Sequence, residues 1–267
     1  MLVLIKGAGD LATGTAVRLY RAGFPVVMTD IAQPTAVRRT VAFCQCIYDG
    51  VTEVEGITAR RAADETEAQT ILAAGEIPVL ADPEARILKQ LPFDAVVDAI
   101  LAKRNLGTAI TDAPVVLALG PGFTAGADCH GVIETQRGHD LGRLILAGPA
   151  APNTGVPGNV GGYTRERLIR APADGPFEPV AAIGQQVALG EVVARVNGVP
   201  AAAQLTGIVR GMLPAGIWVT EGMKAGDIDP RCAVHNCFTV SDKARAIGGG
   251  VLEGLLYFGR RAGVWNG

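Results

Sequence analysis

The chain has 267 residues, 49% of them hydrophobic and 19% charged, with a formal net charge of −2 at pH 7. That is enough apolar material for one large core or two to three modest ones, and a weakly acidic chain without a basic run gives nucleic acid no electrostatic hold. No apolar stretch reaches the roughly 18 residues of a spanning helix, and no signal-peptide pattern opens the chain, so a cytoplasmic protein that uses no membrane is expected.

Leu2 to Ile5 reads as a short strand, Leu11 to Arg21 as a helix and Val26 to Asp30 as a second strand. Between the first two lies Lys6-Gly7-Ala8-Gly9-Asp10. With Ala12, the two glycines fit the G-x-G-x-x-G/A form that opens a dinucleotide-binding βαβ unit. Gly7 suits the tight turn, Gly9 the close approach of a pyrophosphate, and Ala12 close helix–strand packing. The helix start offers free N–H groups and a positive dipole end. Asp30 follows Gly9 by 21 residues, where an acid suits a ribose hydroxyl. Asp10 is discordant, because its carboxylate repels a phosphate unless it caps the helix, binds a metal or turns away. The competing reading is a tight βα turn with no ligand.

A helix is expected from about Thr35 to Cys46, carrying Arg38 and Arg39 either as phosphate contacts or as surface charges. Asp64 to Ala74 has a helix-start signature, with Asp64 as cap and Glu67 three residues on. Strands are expected over Ile77 to Ala81, Asp94 to Leu101 and Val115 to Leu119. Strand–helix alternation of this kind implies a mostly parallel, Rossmann-like α/β sheet. Gly120-Pro121-Gly122 is a second glycine turn at a strand end, where such sheets bind ligands. It precedes the densest polar cluster of the chain: Asp128, Cys129, His130, Glu134, Arg137 and His139. Histidine and carboxylate suit proton transfer or metal ligation, and arginine an anion; a hydrogen-bonded turn network is the plainer alternative. Cys129 is a weak candidate for a soft metal. The five cysteines are expected to be free thiols.

Beyond a proline- and glycine-rich loop over 148–163, the form G-x-x-V-x-x-G occurs at Gly184 and again 32 residues later at Gly216. Asn197-Gly198 between them is a tight-hairpin signal. Two similar halves of short strands resemble a biotinyl/lipoyl-like small β-barrel, but the hairpin has no lysine to modify. Thr239 to Arg261 reads as a helix interrupted by Gly248-Gly249-Gly250, tolerable where it packs closely on a neighbour. The expected domains are 1–170, Rossmann-like; 171–231, the barrel, inserted or appended; and 232–267, a C-terminal helix returning to the first domain.

The stretches Lys6 to Thr15, Gly23 to Val41, Gly120 to Gly148, Pro152 to Gly158 and Lys224 to Arg231 resemble the YqeB family, which accompanies selenium-dependent molybdenum hydroxylases. The resemblance implies an accessory role in maturing such a hydroxylase, with the hydroxylase or its maturation proteins as partners. The expected ligand is then molybdopterin dinucleotide, whose pyrophosphate the first glycine turn suits. The alternatives are an NAD(P)-dependent oxidoreductase using the same turn, and a ligand-free scaffold.

Overall fold

The computed structural model describes residues 1–265, which form two compact units. The first comprises Met1–Pro34, Ala42–Asn153 and the chain from Val240 on; the second comprises Thr35–Val41 and Thr154–Thr239.

The first unit holds β1 (Val3–Lys6), α1 (Asp10–Arg21), β2 (Val26–Asp30), α2 (Cys46–Asp49), β3 (Val51–Val54), β4 (Ile57–Ala62), α3 (Glu65–Ala73) and β5 (Ile77–Ala81). It continues with β6 (Ala95–Asp98), β7 (Val115–Leu119), β8 (Thr124–Ala125), β9 (Gly131–Ile133), β10 (Leu144–Ile145), β11 (Gly148–Pro149) and α4 (Asp242–Ala262). Its main sheet has the order β10-β9-β7-β6-β1-β2-β5-β4-β3. The run from β9 to β4 is parallel, and both edge strands are antiparallel to their neighbours. Continuous apolar stretches such as Val115–Leu119 are buried throughout, as strands covered on both faces require. Leu4, Val27, Val96, Val116 and Val132 share a core with Ala68 and Ile71 of α3. α1 and α4 pack together, and Gly254 of α4 rides over the Leu117 side chain.

Helix starts follow their caps. Asp64 accepts the Glu67 amide at 3.0 Å, Glu67 in return accepts that of Ala63 at 2.9 Å, and Ser241 accepts that of Ala244 at 3.2 Å. Gly14 and Gly248 set the α1–α4 contact. A Cβ on Gly14 would lie 2.5 Å from that of Ala244, and one on Gly248 3.1 Å from that of Arg18. As α1 advances from residue 14 to 18, α4 advances from 244 to 248, so the helices run parallel and start at the same end.

The second unit contains β12 (Leu168–Arg170), β13 (Gly175–Pro179), β14 (Gln186–Val187), β15 (Val192–Val196), β16 (Val199–Ala202), β17 (Gly207–Met212), β18 (Trp218–Val219) and β19 (Lys224–Asp229). They form two four-stranded sheets, β12-β19-β17-β14 and β16-β15-β13-β18, around one core that includes Phe177, Val193, Val209 and Ile228. Asn197 and Gly198 turn the β15–β16 hairpin with φ of 49° and 78°, the primed geometry that suits two-residue loops. Asp227 is held by Arg167 and Arg210, and Asp229 by Arg231 at 2.6 Å.

The expected fold class is corrected on both counts. The main sheet is mixed rather than a Rossmann-like parallel sheet, and the connections from β6 to β7 and from β7 to β9 contain no α-helix. The second unit is a pair of separate antiparallel sheets, not a closed biotinyl/lipoyl-like barrel. No helix spans 35–46 either. Residues 31–38 are irregular, followed by short 3₁₀ turns and α2, and Met212 N–H donates to Val37 O at 2.7 Å. Long-range pairing of this segment overrides its local helix signal.

Candidate functional site

Lys6, Asp30 and Asp98 stand at the carboxyl ends of the parallel strands β1, β2 and β6. Chain direction from β1 leads to β2 on one side, and β6 lies on the other, so the sheet order reverses between β1 and β6. In open α/β sheets such a reversal is where a crevice forms. Here Lys6 Nζ donates to Thr108 Oγ1 at 2.6 Å, and Thr108 donates to Asp98 Oδ2 at 2.6 Å. All three residues are buried, so the lysine charge is matched through the hydroxyl.

The first glycine turn follows directly. Gly7 has φ +96°, and a Cβ there would lie 2.8 Å from the Ala99 carbonyl oxygen, so glycine is demanded by backbone and packing. Gly9 differs. Its φ is −69°, and a Cβ there would meet nothing within 4 Å. It is the N-cap of α1, and no side chain caps the helix. Ala12 is buried against the sheet. Asp30 holds the turn: Ala8 N–H donates to its Oδ2 at 2.8 Å, and Ile31 N–H to its Oδ1 at 2.8 Å. Burial raises its pKa, against the lowering effect of these two amides. The Ala8 carbonyl accepts from Thr13 Oγ1 and from the Cys44 amide, which locks the turn further.

The second glycine turn is explained by packing. A Cβ on Gly120 would collide with the Thr135 hydroxyl, and one on Gly122 would lie 2.6 Å from Arg104 backbone atoms. Arg38 sits in the second unit, where its guanidinium donates to the carbonyls of Asn236 at 2.9 Å and Thr239 at 3.1 Å.

The Asp128–His139 cluster, compact in sequence, is divided in space. Asp128 and His130 precede β9, while Glu134, Arg137 and His139 follow it. Asp128 accepts the Thr124 amide at 2.7 Å, closing a turn. His130 Nδ1 accepts from Val116 N–H at 2.9 Å, and burial lowers its pKa. At the other end, Glu134 accepts the amides of Gln136 and Ala151, Arg137 makes a two-pronged pair with Asp242, and His139 is exposed. Cys129 is fully buried among apolar side chains, and burial pushes its thiol up to about 12. No group of three or more His, Cys, Asp or Glu able to hold a metal occurs among the described residues.

Three participants escape sequence reasoning: Thr108, Asp98 and Lys243. Lys243 lies on the first turn of α4, within electrostatic reach of Asp10, Glu134, Arg137 and Asp242. Only the close parallel packing of α4 on α1 brings it there, more than two hundred residues after Asp10.

The architecture is thus that of an α/β protein with charged residues at the ends of its parallel strands. No family model matches the chain. It is 54% identical over 255 residues, 96% of its length, to the protein of Escherichia coli (strain K12) named Uncharacterized protein YqeB. The chain spans about half, 47%, of that relative, and is a relative of YqeB over that part. Among solved structures it is similar to an aspartoacylase family protein from Mesorhizobium loti (14% identity, 85% of this chain and 84% of that one, TM-score 0.29). It is also similar to a succinylglutamate desuccinylase/aspartoacylase from Rhodobacter sphaeroides (17% identity, 85% of each chain, TM-score 0.28). At these TM-scores they assign this chain no chemistry or substrate. No helix among the described residues is long and apolar enough to cross a membrane.

Proposed function

We propose that the first unit binds a ligand containing a pyrophosphate at the start of α1, and that the protein presents it, in the cytoplasm, as an accessory to a molybdenum hydroxylase of the selenium-dependent kind. The observation that carries the binding half is Gly9. Neither strain nor crowding requires glycine there, and Ser, Asn or Asp would cap α1 better by a few tenths of a kcal/mol. A helix start whose N-cap residue has no side chain to cap it suits an anion that supplies the cap itself. The fit is to the pyrophosphate. The acid expected at the ribose, Asp30, has both oxygens engaged by backbone amides, so the nucleoside half draws less support.

The presenting half rests on the resemblance to YqeB, and molybdopterin dinucleotide is the ligand that joins the two. A nicotinamide oxidoreductase would use the same turn. It gains less support, because His130 and Glu134 lie at opposite ends of β9. Calorimetric titration with molybdopterin dinucleotide, CTP, NADH and NADPH tests the reading. Binding of the dinucleotide, weakened at least about tenfold by Gly9→Val with the melting temperature nearly retained, is the expected result. Absence of binding by every ligand in the panel would refute it.

A further inference from the structure

A row of side chains crosses the main sheet at the ends of its central strands. Strand register places Thr29 of β2 beside Lys6 of β1, and Lys6 beside Asp98 of β6. Register partners in a parallel pair leave the same face of the sheet, on strands about 4.8 Å apart. Leu80 of β5 flanks the row next to Thr29, and Ala118 of β7 flanks it next to Asp98. Two residues back on the same face lie Val27, Leu4 and Val96, all in the apolar core. The row is where that core gives way to polar side chains, and it adjoins the first glycine turn: Gly7 N–H donates to the Thr29 carbonyl at 2.7 Å.

The three polar members are all deeply buried, with exposures of 3% for Thr29, 6% for Lys6 and 2% for Asp98. Their bonding is uneven. Asp98 is well supplied, because Thr108 Oγ1 donates to its Oδ2 at 2.6 Å and Ile100 N–H to its Oδ1 at 3.2 Å. Lys6 can donate three hydrogen bonds and, among the described residues, makes only the one to Thr108. The Thr29 hydroxyl makes none among the described residues. Burying a hydroxyl without a partner costs free energy. Valine matches threonine in shape and branching, lacks the hydroxyl, and already stands at positions 26 and 27 of the same strand. The fold alone therefore gives no reason for threonine at 29.

We infer that Thr29 and Lys6 together hold a phosphate oxygen of the ligand, through the threonine hydroxyl and the remaining ammonium N–H groups. A phosphate oxygen only accepts, has several lone pairs and is anionic, which matches a hydroxyl beside a buried cation and makes the bonds charge-assisted. Thr108, fixed by Asp98, receives one ammonium hydrogen and so orients the other two. An uncharged nucleoside offers no anionic oxygen, so the pair selects for phosphate-bearing ligands. The inference rests on the pyrophosphate reading given above and adds side chains of β1 and β2 to it. Adjacent residues of β2 then divide the work: Asp30 holds the turn through the Ala8 amide, and Thr29, pointing to the opposite face, serves the ligand.

The test titrates wild type, Thr29→Val, Thr29→Ser, Lys6→Met and Gly9→Val with inorganic pyrophosphate, molybdopterin dinucleotide and cytidine, with a thermal melt of each variant. Thr29→Val is expected to keep or raise the melting temperature and to weaken the phosphate ligands about tenfold, the loss of one hydrogen bond to a charged acceptor. Thr29→Ser keeps the hydroxyl and is expected to bind within about threefold of wild type. Lys6→Met is expected to weaken the phosphate ligands at least as much as Thr29→Val, and cytidine to respond to neither change. If Gly9→Val weakens binding while Thr29→Val binds like wild type, the role of the pair is overturned and the ligand reading stands. A Thr29→Val protein that melts well below wild type would show the hydroxyl to be structural and would overturn the role as well. If wild type binds neither phosphate ligand, the ligand reading falls and takes this inference with it. Should Lys6→Met fail to fold, the comparison of Thr29→Val with Thr29→Ser decides: equal affinities overturn the role.

Discussion

Gly7 and Gly9, two residues apart, answer to different constraints, and substitution separates them. Gly7→Ala forces an L residue to φ +96° and drives its Cβ to 2.8 Å from the Ala99 oxygen, so a loss of about 2–4 kcal/mol in urea denaturation is expected. Gly9→Ala meets no atom within 4 Å and is expected to cost no more than about 1 kcal/mol, the preference of an N-cap for glycine over alanine. Equal losses at the two positions would contradict the assignment of one to architecture and the other to the ligand. Asp30 adds a pH test. Burial raises its pKa from the ordinary 3.8, so it favours the fold when protonated and weighs against it when ionised. That contribution is complete below pH 3.8 and is lost as pH rises through the higher folded-state value. Asp30→Asn keeps an acceptor for the Ala8 amide without the charge. Wild type should therefore lose stability relative to Asp30→Asn over that acid interval, and a constant difference from pH 3 to 7 would show that Asp30 is not penalised by burial.

The glycine triplet of α4 resolves into three distinct sites. A side chain on Gly248 runs into α1, and one on Gly250 collides with the Gly142 carbonyl, whereas one on Gly249 meets nothing within 4 Å. Gly249→Ala is expected to stabilise by about 0.5–1 kcal/mol and Gly250→Ala to destabilise by about 1–3 kcal/mol, both read from chemical denaturation. If Gly250→Ala also stabilises, α4 does not sit on the 142 turn as described. Much of the element pattern could be read from the sequence, because its cues are local. A glycine turn after four apolar residues, an Asp64–Glu67 capping pair, an Asn-Gly hairpin and a Ser241 cap each act within a few residues. The misread parts depend on distant partners. Val37 and Arg38 are drawn out of a helix by Gly211, Met212, Asn236 and Thr239. Asp128 and Glu134 are close in sequence, but a strand runs between them, and three strand residues separate their ends by roughly 10 Å. Lys243 carried no local signal at all. Its place depends on small residues of two helices meeting, which no single stretch announces.

Each unit has its own means of staying folded. In the second, Asp227 is buried between Arg167 and Arg210, and removing it takes the carboxylate from Arg167 and leaves Arg210 only the longer contact to Asp229 at 3.6 Å. Asp227→Ala is expected to destabilise that unit by about 3–5 kcal/mol. Hydrogen exchange should quicken for β17 and β19 while β1, β6 and β7 keep their protection; uniform acceleration in both units would show that they unfold as one body. The chain enters the second unit at Thr35, leaves it at Ala42, re-enters at Thr154 and returns at Val240. This threading has a biosynthetic consequence. When the ribosome has made β1, α1 and the strands of the first unit, the helix that covers Gly14 and Leu117 has not been synthesised. The whole second unit is translated before α4 emerges, so the nascent first unit waits with one face uncovered and is a natural client for chaperones. A chain stalled before α4 cannot hold a finished core, so the first unit completes its fold only once translation has passed that helix.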